Sequence, residues 1–382
     1  MSRGQDLIAW FTAREGEALD LLGRLVEIDS PTSDKAAVDR LATVVAEQFR
    51  EAGAAVTRIP QKNAGDSLLA AFGPEGNAPV MLLGHLDTVW PSGEASRRPM
   101  KIEDGHAYGP GVYDMKVGIV LCLLLARAAK EGVLRPRLPV VSFLSGDEET
   151  GSPVSKHRIE EEAKRCRYVL GLEPCNPDGG AKTSRKGVGR VILEVTGAPA
   201  HTGLDPEKGV NAIEEIAAQL LAIKHLQDLD VGTTVHTGLI RGGVARNVVA
   251  PSARAEIDVR VPVPAEWSRI ELAVLNLRLK NPKARLRVDA TLTHAPVVRT
   301  REVASLYDQA CGAAAAVGFT LNEGSTGGGS DGSHCAALGI PVLDGLGVEG
   351  DGAHAAAERV RVDRIAPRAA FLGTILETIE KL

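Results

Sequence analysis

The chain has 382 residues, of which 44% are hydrophobic and 24% are charged, and its formal net charge is −5. This length suits two domains better than one, and the apolar fraction is enough for a substantial core. Only 3% of the residues are aromatic and no basic stripe is present, which argues against a nucleic-acid partner.

The first part of the chain alternates helices with apolar strands. The helices are predicted at 7–28, 35–52, 117–130 and 154–166. The strands are predicted at 67–72, 80–83, 140–144 and 168–172. Ser33 is the predicted cap of the second helix, and the third helix is apolar enough to be buried. This alternation predicts an α/β domain with a mainly parallel sheet, whose ligands gather beyond the carboxyl ends of the strands.

The pattern changes near Gly187. Strands are predicted at 188–196, 235–240, 253–261 and 285–292, with helices at 210–229 and 265–280. The order strand–helix–strand–strand–helix–strand predicts a ferredoxin-like arrangement. The α/β pattern then resumes with a helix at 301–317, a glycine-rich turn at 324–332, a strand at 341–343 and a helix at 365–381. We therefore expect a first domain over 1–186 and 295–382, with a second domain inserted over 187–294.

No sequence feature points to a membrane or to secretion. The longest apolar run, 117–126, is too short to span a bilayer. The chain does not begin with a basic segment followed by an apolar stretch, so we expect no signal peptide. The five cysteines are scattered without CxxC spacing, which favours reduced thiols in a cytoplasmic protein.

Acidic and imidazole residues recur where an apolar run meets a turn. They are His85 and Asp87, Asp114, the pair Glu148 and Glu149, Glu173, and His354 near the end of the chain. Two histidines and three carboxylates from separate strand ends are the ligands of a dinuclear zinc site. Residues two apart on extended chain point the same way, so Asp87 is placed to accept the ring N–H of His85.

Each feature taken alone also has an ordinary structural explanation. Asp114 fits a helix cap, His85 with Asp87 fits a solvent-facing strand end, and His354 fits an exposed loop. The Glu148–Glu149 pair fits a solvated acidic turn, although adjacent charges at a partly buried strand end need a compensating cation or proton. The metal-site interpretation therefore depends on the joint order and strand-end placement of all these residues.

The order of these residues resembles the zinc-dependent aminoacylase and carboxypeptidase family. Its members include glutamate carboxypeptidase, acetylornithine deacetylase and succinyl-diaminopimelate desuccinylase. The resemblance covers nearly the whole chain and is nearest to the glutamate carboxypeptidase branch. It implies an α/β zinc-peptidase catalytic domain with a mainly parallel sheet and an inserted ferredoxin-like α+β lid and dimerisation domain. It also implies two Zn²⁺ per subunit, with Co²⁺ or Mn²⁺ as substitutes.

The resemblance assigns roles to the residues at the strand ends. It implies Asp114 as a bridge between both metals, His85 and Glu173 as further ligands of one metal, and Glu149 and His354 as further ligands of the other. Glu148 would be the general base, and Asp87 would orient a ligand. The presence of glutamate at 173, rather than aspartate, resembles the carboxypeptidase and deacylase branch more than the aminotripeptidase branch.

Four further segments resemble parts of the family that contact substrate. They are Gly197–Gly203, Gly242–Pro251, Asp258–Arg260 and Gly327–Asp331. By resemblance, His201 would reach across a homodimer to stabilise the oxyanion. Asn247 and Arg260 would bind the substrate, and Gly329 and Ser330 would cradle it. The stretch at 293–296 departs from the pattern, because it lacks the arginine that some glutamate-specific relatives carry before the proline.

These residues together predict a dinuclear zinc-dependent hydrolase of amide bonds. We expect it to release a C-terminal amino acid, with glutamate as one candidate, from a small peptide or an N-acyl amino acid. The expected chemistry is attack by metal-bound hydroxide with Glu148 as general base. An N-acetyl or N-succinyl amino acid deacylase is the near alternative. A catalytically silent binding relative and a phosphatase-type enzyme are further alternatives, disfavoured by the complete ligand set and by the scarcity of basic anion clamps.

Overall fold

A computed structural model describes residues 3–380 and divides the chain into two compact units. The first unit comprises the residues up to Ser184, Val298–Thr326 and the residues from Ser330 onward. The second unit comprises Arg185–Val297 together with Gly327–Gly329. The assignment of the units to a catalytic domain and a lid stays a prediction.

The helices and strands of the described residues have the following bounds. The helices are α1 (Arg3–Thr12), α2 (Glu15–Val26), α3 (Lys35–Glu51), α4 (Glu94–Arg97), α5 (Val117–Lys130), α6 (Lys156–Ala163), α7 (Ala212–Lys224), α8 (Pro264–Leu275), α9 (Arg301–Ala316), α10 (Gly332–Ala336) and α11 (Ile365–Thr378). The strands are β1 (Ala55–Ile59), β2 (Ser67–Phe72), β3 (Val80–His85), β4 (Lys101–Glu103), β5 (His106–Tyr108), β6 (Val140–Ser145), β7 (Tyr168–Gly171), β8 (Ala181–Arg185), β9 (Gly187–Thr196), β10 (Thr234–Gly242), β11 (Ser252–Val261), β12 (Arg285–His294), β13 (Glu323–Thr326), β14 (Val342–Leu343), β15 (Gly350–Asp351) and β16 (Arg359–Arg361).

The main sheet of the first unit has the strand order β1-β2-β6-β3-β7-β14. The three pairings among β6, β3, β7 and β14 are parallel, whereas β1 and β2 pair antiparallel at one side. Every residue of β3, β6 and β7 is buried, as expected for strands covered on both faces. The predicted mixed α/β fold is confirmed, and the ends of β3, β6 and β7 meet at one edge.

Helix α5 confirms the predicted buried helix. Eleven of its fourteen residues are buried, because it is apolar around almost its whole circumference. Among the described residues, none of the helices combines the length and the apolar character that crossing a membrane requires. Helix α5 is therefore a core element of a large apolar cluster that also includes residues of α2, α3 and α11.

The second unit consists of a four-stranded antiparallel sheet and two helices. The strand order is β10-β11-β9-β12, and the chain order is β9-α7-β10-β11-α8-β12. This is the ferredoxin-like connection expected from the sequence. Alternate residues of β9 and β11 face a separate apolar core with α7 and α8. At Gly189 a Cβ would lie only 2.1 Å from the Trp267 ring, so glycine lets α8 approach the sheet closely.

Several predicted bounds differ from the structure. The single helix expected over 7–28 is two helices, α1 and α2, because Arg14 leaves the helical conformation at φ −115° and ψ 17°. The Arg14 guanidinium lies over the Trp10 ring and pairs with Glu131, which stabilises this break. The helix expected over 365–381 ends at Thr378, and position 381 lies outside the described residues.

The cap of α3 is also different from the prediction. The carboxylate of Asp34, rather than the hydroxyl of Ser33, accepts the main-chain N–H of Ala37 at 3.1 Å. Ser33 is exposed one position too early to act as the cap. The short sheet β15-β16-β5-β4 was not predicted, because strands of two or three residues are too short to show an alternating pattern.

The corrected cap leads to a test of stability. Asp34→Ala removes the acceptor for Ala37 and should lower the free energy of unfolding by about 1 kcal/mol. Ser33→Ala is the matched control and should leave it nearly unchanged. Urea denaturation followed by circular dichroism measures both variants, and equal effects of the two substitutions would contradict the assignment of Asp34 as the cap.

Candidate metal centre

His85 ends strand β3 and its side chain is only 1% exposed. Its Nδ1 lies 2.9 Å from the main-chain oxygen of Asp87 and 3.5 Å from the Asp87 carboxylate. The nearer acceptor of the ring N–H is therefore the main chain of Asp87, not the carboxylate expected from the sequence. Nε2 of the same ring lies 3.2 Å from Asp114 and 3.6 Å from Glu173, and with Nδ1–H donated it could present its lone pair to a cation at that point.

The carboxylate of Asp87 instead organises the turn that carries the two adjacent glutamates. It accepts the main-chain N–H groups of Glu148 and Glu149, each at 3.1 Å, and the hydroxyl of Thr32 at 2.6 Å. Asp87 is buried, so these contacts are shielded from water. The structure thus brings Asp87 to the expected place but gives its carboxylate a different set of partners.

Asp114 lies between two imidazoles. Its Oδ1 is 3.2 Å from Nε2 of His85, and its Oδ2 is 3.3 Å from Nε2 of His354. The same Nε2 of His354 is 3.2 Å from Oε2 of Glu149. Two groups of possible ligand atoms result, one from His85, Glu148 and Glu173 and one from His85, Asp114 and Glu149, and within each group the atoms lie within 4.8 Å of one another. His354 is in neither group, and the two oxygens of Asp114 face different imidazoles, which is the arrangement of a bridging carboxylate.

The residues fit divalent cations. The carboxylates outnumber the imidazoles, and they comprise Asp87, Asp114, Glu148, Glu149 and Glu173. Oε1 of Glu149 is buried and has no hydrogen-bond partner among residues 3–380, which is costly for a carboxylate oxygen unless a cation binds it. Carboxylate oxygens together with imidazole nitrogens are the ligand types that Zn²⁺ takes from proteins.

The electrostatics of the site favour a positive charge among the carboxylates around Asp114. Burial raises the pKa of Glu148 well above its usual value, and the nearby Glu173 adds to the effect. Hydrogen bonds to Asp114 and Glu149 raise the pKa of His354 to about 10. Despite burial, hydrogen bonds from His354 and His85 hold the pKa of Asp114 well below its usual value. A bound cation would relieve the repulsion among these carboxylates and would compete with protons for the imidazole nitrogens.

The residues expected to bind substrate are divided between the units. In the second unit, the segments of His201 and Asn247 are adjacent, since the main-chain N–H of Thr202 donates to the Asn247 carbonyl at 3.2 Å. Arg260 makes a bidentate pair with Asp258 at 2.8 and 2.9 Å and donates to the Gly327 carbonyl at 3.1 Å.

The glycine-rich segment is divided between the units, and each part is held by a side chain of its own unit. The carbonyl of Gly329 accepts from Arg185 at 2.9 Å within the second unit. In the first unit, the hydroxyl of Ser330 is buried and donates to Asp344 at 2.7 Å. The Ser330 hydroxyl is thus committed to a contact within the protein.

Sequence analysis missed Glu358. Its buried carboxylate accepts four hydrogen bonds, three of them from the main chain of the turn that carries Asp114. A single acidic residue between Ala357 and Arg359 gives no signal in the sequence. Only its position four residues after His354, at the start of the segment that forms β16, could have drawn attention to it.

Comparisons with known proteins agree with this geometry. Residues 81–378 match Peptidase family M20/M25/M40. Carboxypeptidase G2 of Pseudomonas sp. (strain RS-16) is 29% identical over 375 residues, which cover 96% of this chain and 89% of that protein. A succinyl-diaminopimelate desuccinylase of Methylobacterium radiotolerans is 30% identical over 398 residues, covering 94% and 96% of the two chains. The crystal structure of aminopeptidase PepT from Bacillus cereus has a TM-score of 0.78 at 23% identity, with 95% and 98% of the chains covered.

The site and the matches define a class of protein. The chain belongs to Peptidase family M20/M25/M40, since that match covers well over half of its length. It is a hydrolase that acts on amide bonds. The resemblance to carboxypeptidases and deacylases inferred from the motifs is confirmed, whereas the structural likeness at 23% identity concerns the fold alone.

The arrangement of the ligands predicts a change in metal content. His354→Ala removes one imidazole beside Asp114 and Glu149, and it should lower the amount of zinc that each chain binds. His157→Ala is the matched control, because His157 is 76% exposed on α6 and pairs only with Glu161 there. Equilibrium dialysis followed by atomic absorption measures the content, and an unchanged content in His354→Ala would rule out His354 as a ligand.

Proposed function

We propose that this chain is a dinuclear zinc-dependent hydrolase that releases a C-terminal amino acid from a small peptide or an N-acyl amino acid. The observation that carries the proposal is the placement of the two Asp114 oxygens against His85 and His354, with the Glu148 carboxylate grouped with His85 and Glu173. One cation would be held by His85, Asp114 and Glu173, and the other by Asp114, Glu149 and His354. The names of the relatives, a carboxypeptidase and a desuccinylase, support the substrate class.

Glu148 is the proposed general base. Bound divalent cations supply Lewis acidity, which polarises an amide carbonyl and lowers the pKa of water. Glu148 takes the proton of the attacking water on a carboxylate oxygen and returns it to the nitrogen of the leaving amine. Burial raises the pKa of Glu148 above its usual value, and a carboxylate with a higher pKa is a stronger proton acceptor. Asp87 fixes the backbone of this residue through the N–H of Glu148.

Arg260 is the proposed ligand of the substrate carboxylate. A guanidinium has five N–H groups, and Arg260 uses three of them, two on Asp258 and one on the Gly327 carbonyl. One N–H remains on each terminal nitrogen, and this pair suits a bidentate grip on a carboxylate. The Asp258 pair holds the guanidinium in a fixed orientation, and we propose that Asn247 binds the adjoining part of the substrate.

His201 is the proposed donor to the oxyanion. Its Nδ1 accepts the main-chain N–H of Gly203 at 3.1 Å, so in the neutral ring the proton is on Nε2. An exposed imidazole with Nε2–H is a donor suited to developing negative charge on an oxygen. We propose that it acts on the site of a second copy of the chain, in a homodimer formed through the second unit.

The compartment and the second candidate activity follow from separate observations. All five cysteines in the described part of the chain are free, which supports a reducing compartment such as the cytoplasm.

An N-acetyl or N-succinyl amino acid deacylase is the second candidate, because Thr293-His294-Ala295-Pro296 lacks the arginine of some glutamate-specific relatives. Glutamate as the leaving residue is therefore one candidate among several amino acids.

The role of Glu148 leads to a test of activity. Glu148→Gln should retain bound zinc and lose about 10²–10⁴-fold in kcat on a panel of N-acyl amino acids and dipeptides. Glu161→Gln, on the exposed side of α6, should keep the activity of the wild type. Turnover by Glu148→Gln close to the wild-type rate would exclude it as the base. A zinc-loaded wild type without turnover on the whole panel would favour the silent binding relative.

The role of Arg260 leads to a test of substrate recognition. Arg260→Lys replaces a bidentate group with a single ammonium, and should lower kcat/KM about 10-fold for substrates with a free carboxylate. Matched substrates that end in a carboxamide should be hydrolysed by this variant and the wild type at similar rates. Arg254→Lys is the control, because Arg254 lies on the same strand and pairs with Glu194 and Glu256. Equal losses for both kinds of substrate would contradict the proposed contact.

A further inference from the structure

A buried carboxylate, Glu358, joins the turn that carries Asp114 to the loop that carries His354. Glu358 follows His354 by four residues in the chain, and it is only 1% exposed. Its Oε1 accepts the main-chain N–H groups of Tyr113 at 2.9 Å and Asp114 at 3.0 Å. Its Oε2 accepts the main-chain N–H of Gly111 at 2.9 Å. A single side chain thus fixes the backbone at a proposed ligand and in the residues that precede it.

The contacts of Glu358 require a carboxylate. The indole N–H of Trp90 donates to Oε2 at 2.8 Å, so each oxygen accepts two hydrogen bonds and every partner is a donor. A carboxamide would place its own N–H₂ group against two donors. Glutamine at this position is therefore close to the same shape but cannot satisfy the same partners.

The turn itself needs an acceptor at this point. Gly111 has a left-handed φ of +72°, and Asp114 has φ −117° and ψ 94°, which is not helical. The N–H groups of this irregular turn converge on Glu358, as backbone N–H groups do in anion-binding turns. Without Glu358, N–H groups buried in the turn would be left without an acceptor, and Asp114 would lose its fixed direction.

The loop of His354 has little packing of its own. The side chain of His354 is 52% exposed, and the residue has φ +61°, which is uncommon outside glycine. The loop is held at its base by Glu358 and by Arg98, whose Nη1 donates to the carbonyl of Ala356 at 2.7 Å. Arg98 also lies over the Trp90 ring at 4.1 Å. Trp90, which donates to Glu358, and Arg98, which donates to the loop, therefore contact each other.

We propose that Glu358 is a positioning residue that fixes Asp114 relative to His354, and thereby determines the metal affinity of the centre. The proposal rests on the proposed function, since it assumes that these two residues bind metal. Groups that hold the ligands of a metal, without touching it, typically change metal affinity or activity 10- to 100-fold when they are replaced. Glu358 acts in this way through main-chain N–H groups rather than through a ligand side chain.

The test compares zinc affinities of three variants, measured by competition with a fluorescent chelator on metal-free protein. Glu358→Gln should weaken the affinity of at least one zinc ion about 10- to 100-fold and lower kcat, with KM changed less than about twofold. Trp90→Phe removes only one of the four donors and should cause a smaller change in the same direction. Glu215→Gln is the matched control, because Glu215 is equally buried but accepts the main-chain N–H groups of Lys280 and Asn281 in the second unit.

The control distinguishes a positioning role from general destabilisation. A merely structural role would reduce the fraction of folded protein and leave the affinity of the remaining sites unchanged. Wild-type zinc affinity in Glu358→Gln, or an equal loss in Glu215→Gln, would overturn the proposal. If Glu358→Gln does not fold, an unchanged affinity in Trp90→Phe with normal thermal stability overturns it. A wild type that binds no zinc would instead overturn the proposed function.

Discussion

The concentration of buried negative charge beyond strands β3, β6 and β7 is the constraint on which the rest of the structure depends. Carboxylates this close repel one another, and two imidazoles contact them, that of the buried His85 and that of the half-exposed His354. The protein meets part of the cost with main-chain donors, as when Asp87 accepts two N–H groups from the following turn. The remaining charge, including the unpaired Oε1 of Glu149, is suited to cations of charge greater than one.

The topology of the main sheet brings these charged residues together. Parallel strands end at the same edge, so residues far apart in sequence meet without any long loop reaching inward. The register pairs His85 of β3 directly with Ser145 of β6, which places the following glutamates beside the imidazole. The buried helix α5 begins just after the turn of Asp114 and anchors it to the core. Ligand geometry is therefore set by rigid elements, with the exposed His354 loop as the exception.

The sequence allowed the prediction of those parts of the molecule whose signals are local. Helix α5 is almost wholly apolar and was predicted with its observed bounds, and the strands of the second unit were predicted nearly as observed. The helices of that unit end at Lys224 and Leu275, before the predicted ends at 229 and 280. The strand-end residues could be grouped as a candidate site because the carboxyl ends of parallel strands converge. The division of 7–28 into α1 and α2 was not predictable, because the apolar period continues across the break at Arg14.

The contacts that position the ligands were not predictable for a different reason. Glu358 accepts a hydrogen bond from Gly111, which is 247 residues away in the chain. Neither residue lies in a local sequence pattern that indicates the other as its partner. The choice between the main chain and the carboxylate of Asp87 as the partner of His85 depends on differences below 1 Å. Such distances depend on the packing of the whole unit. The residue types at the strand ends, in contrast, can be recognised as possible metal ligands from their chemistry alone.

The division of the glycine-rich segment limits how the second unit could be transplanted. Its continuous stretch, Arg185–Val297, does not include Gly327–Gly329, although these glycines belong to the same compact unit. Arg185 and Arg260 donate to carbonyls of this short segment. In a chimaera made by exchanging only the continuous stretch, Arg185 and Arg260 would come from one parent and the glycine segment that they contact would come from the other. Transfer of the complete second unit between relatives therefore requires two separate pieces of sequence to be moved together.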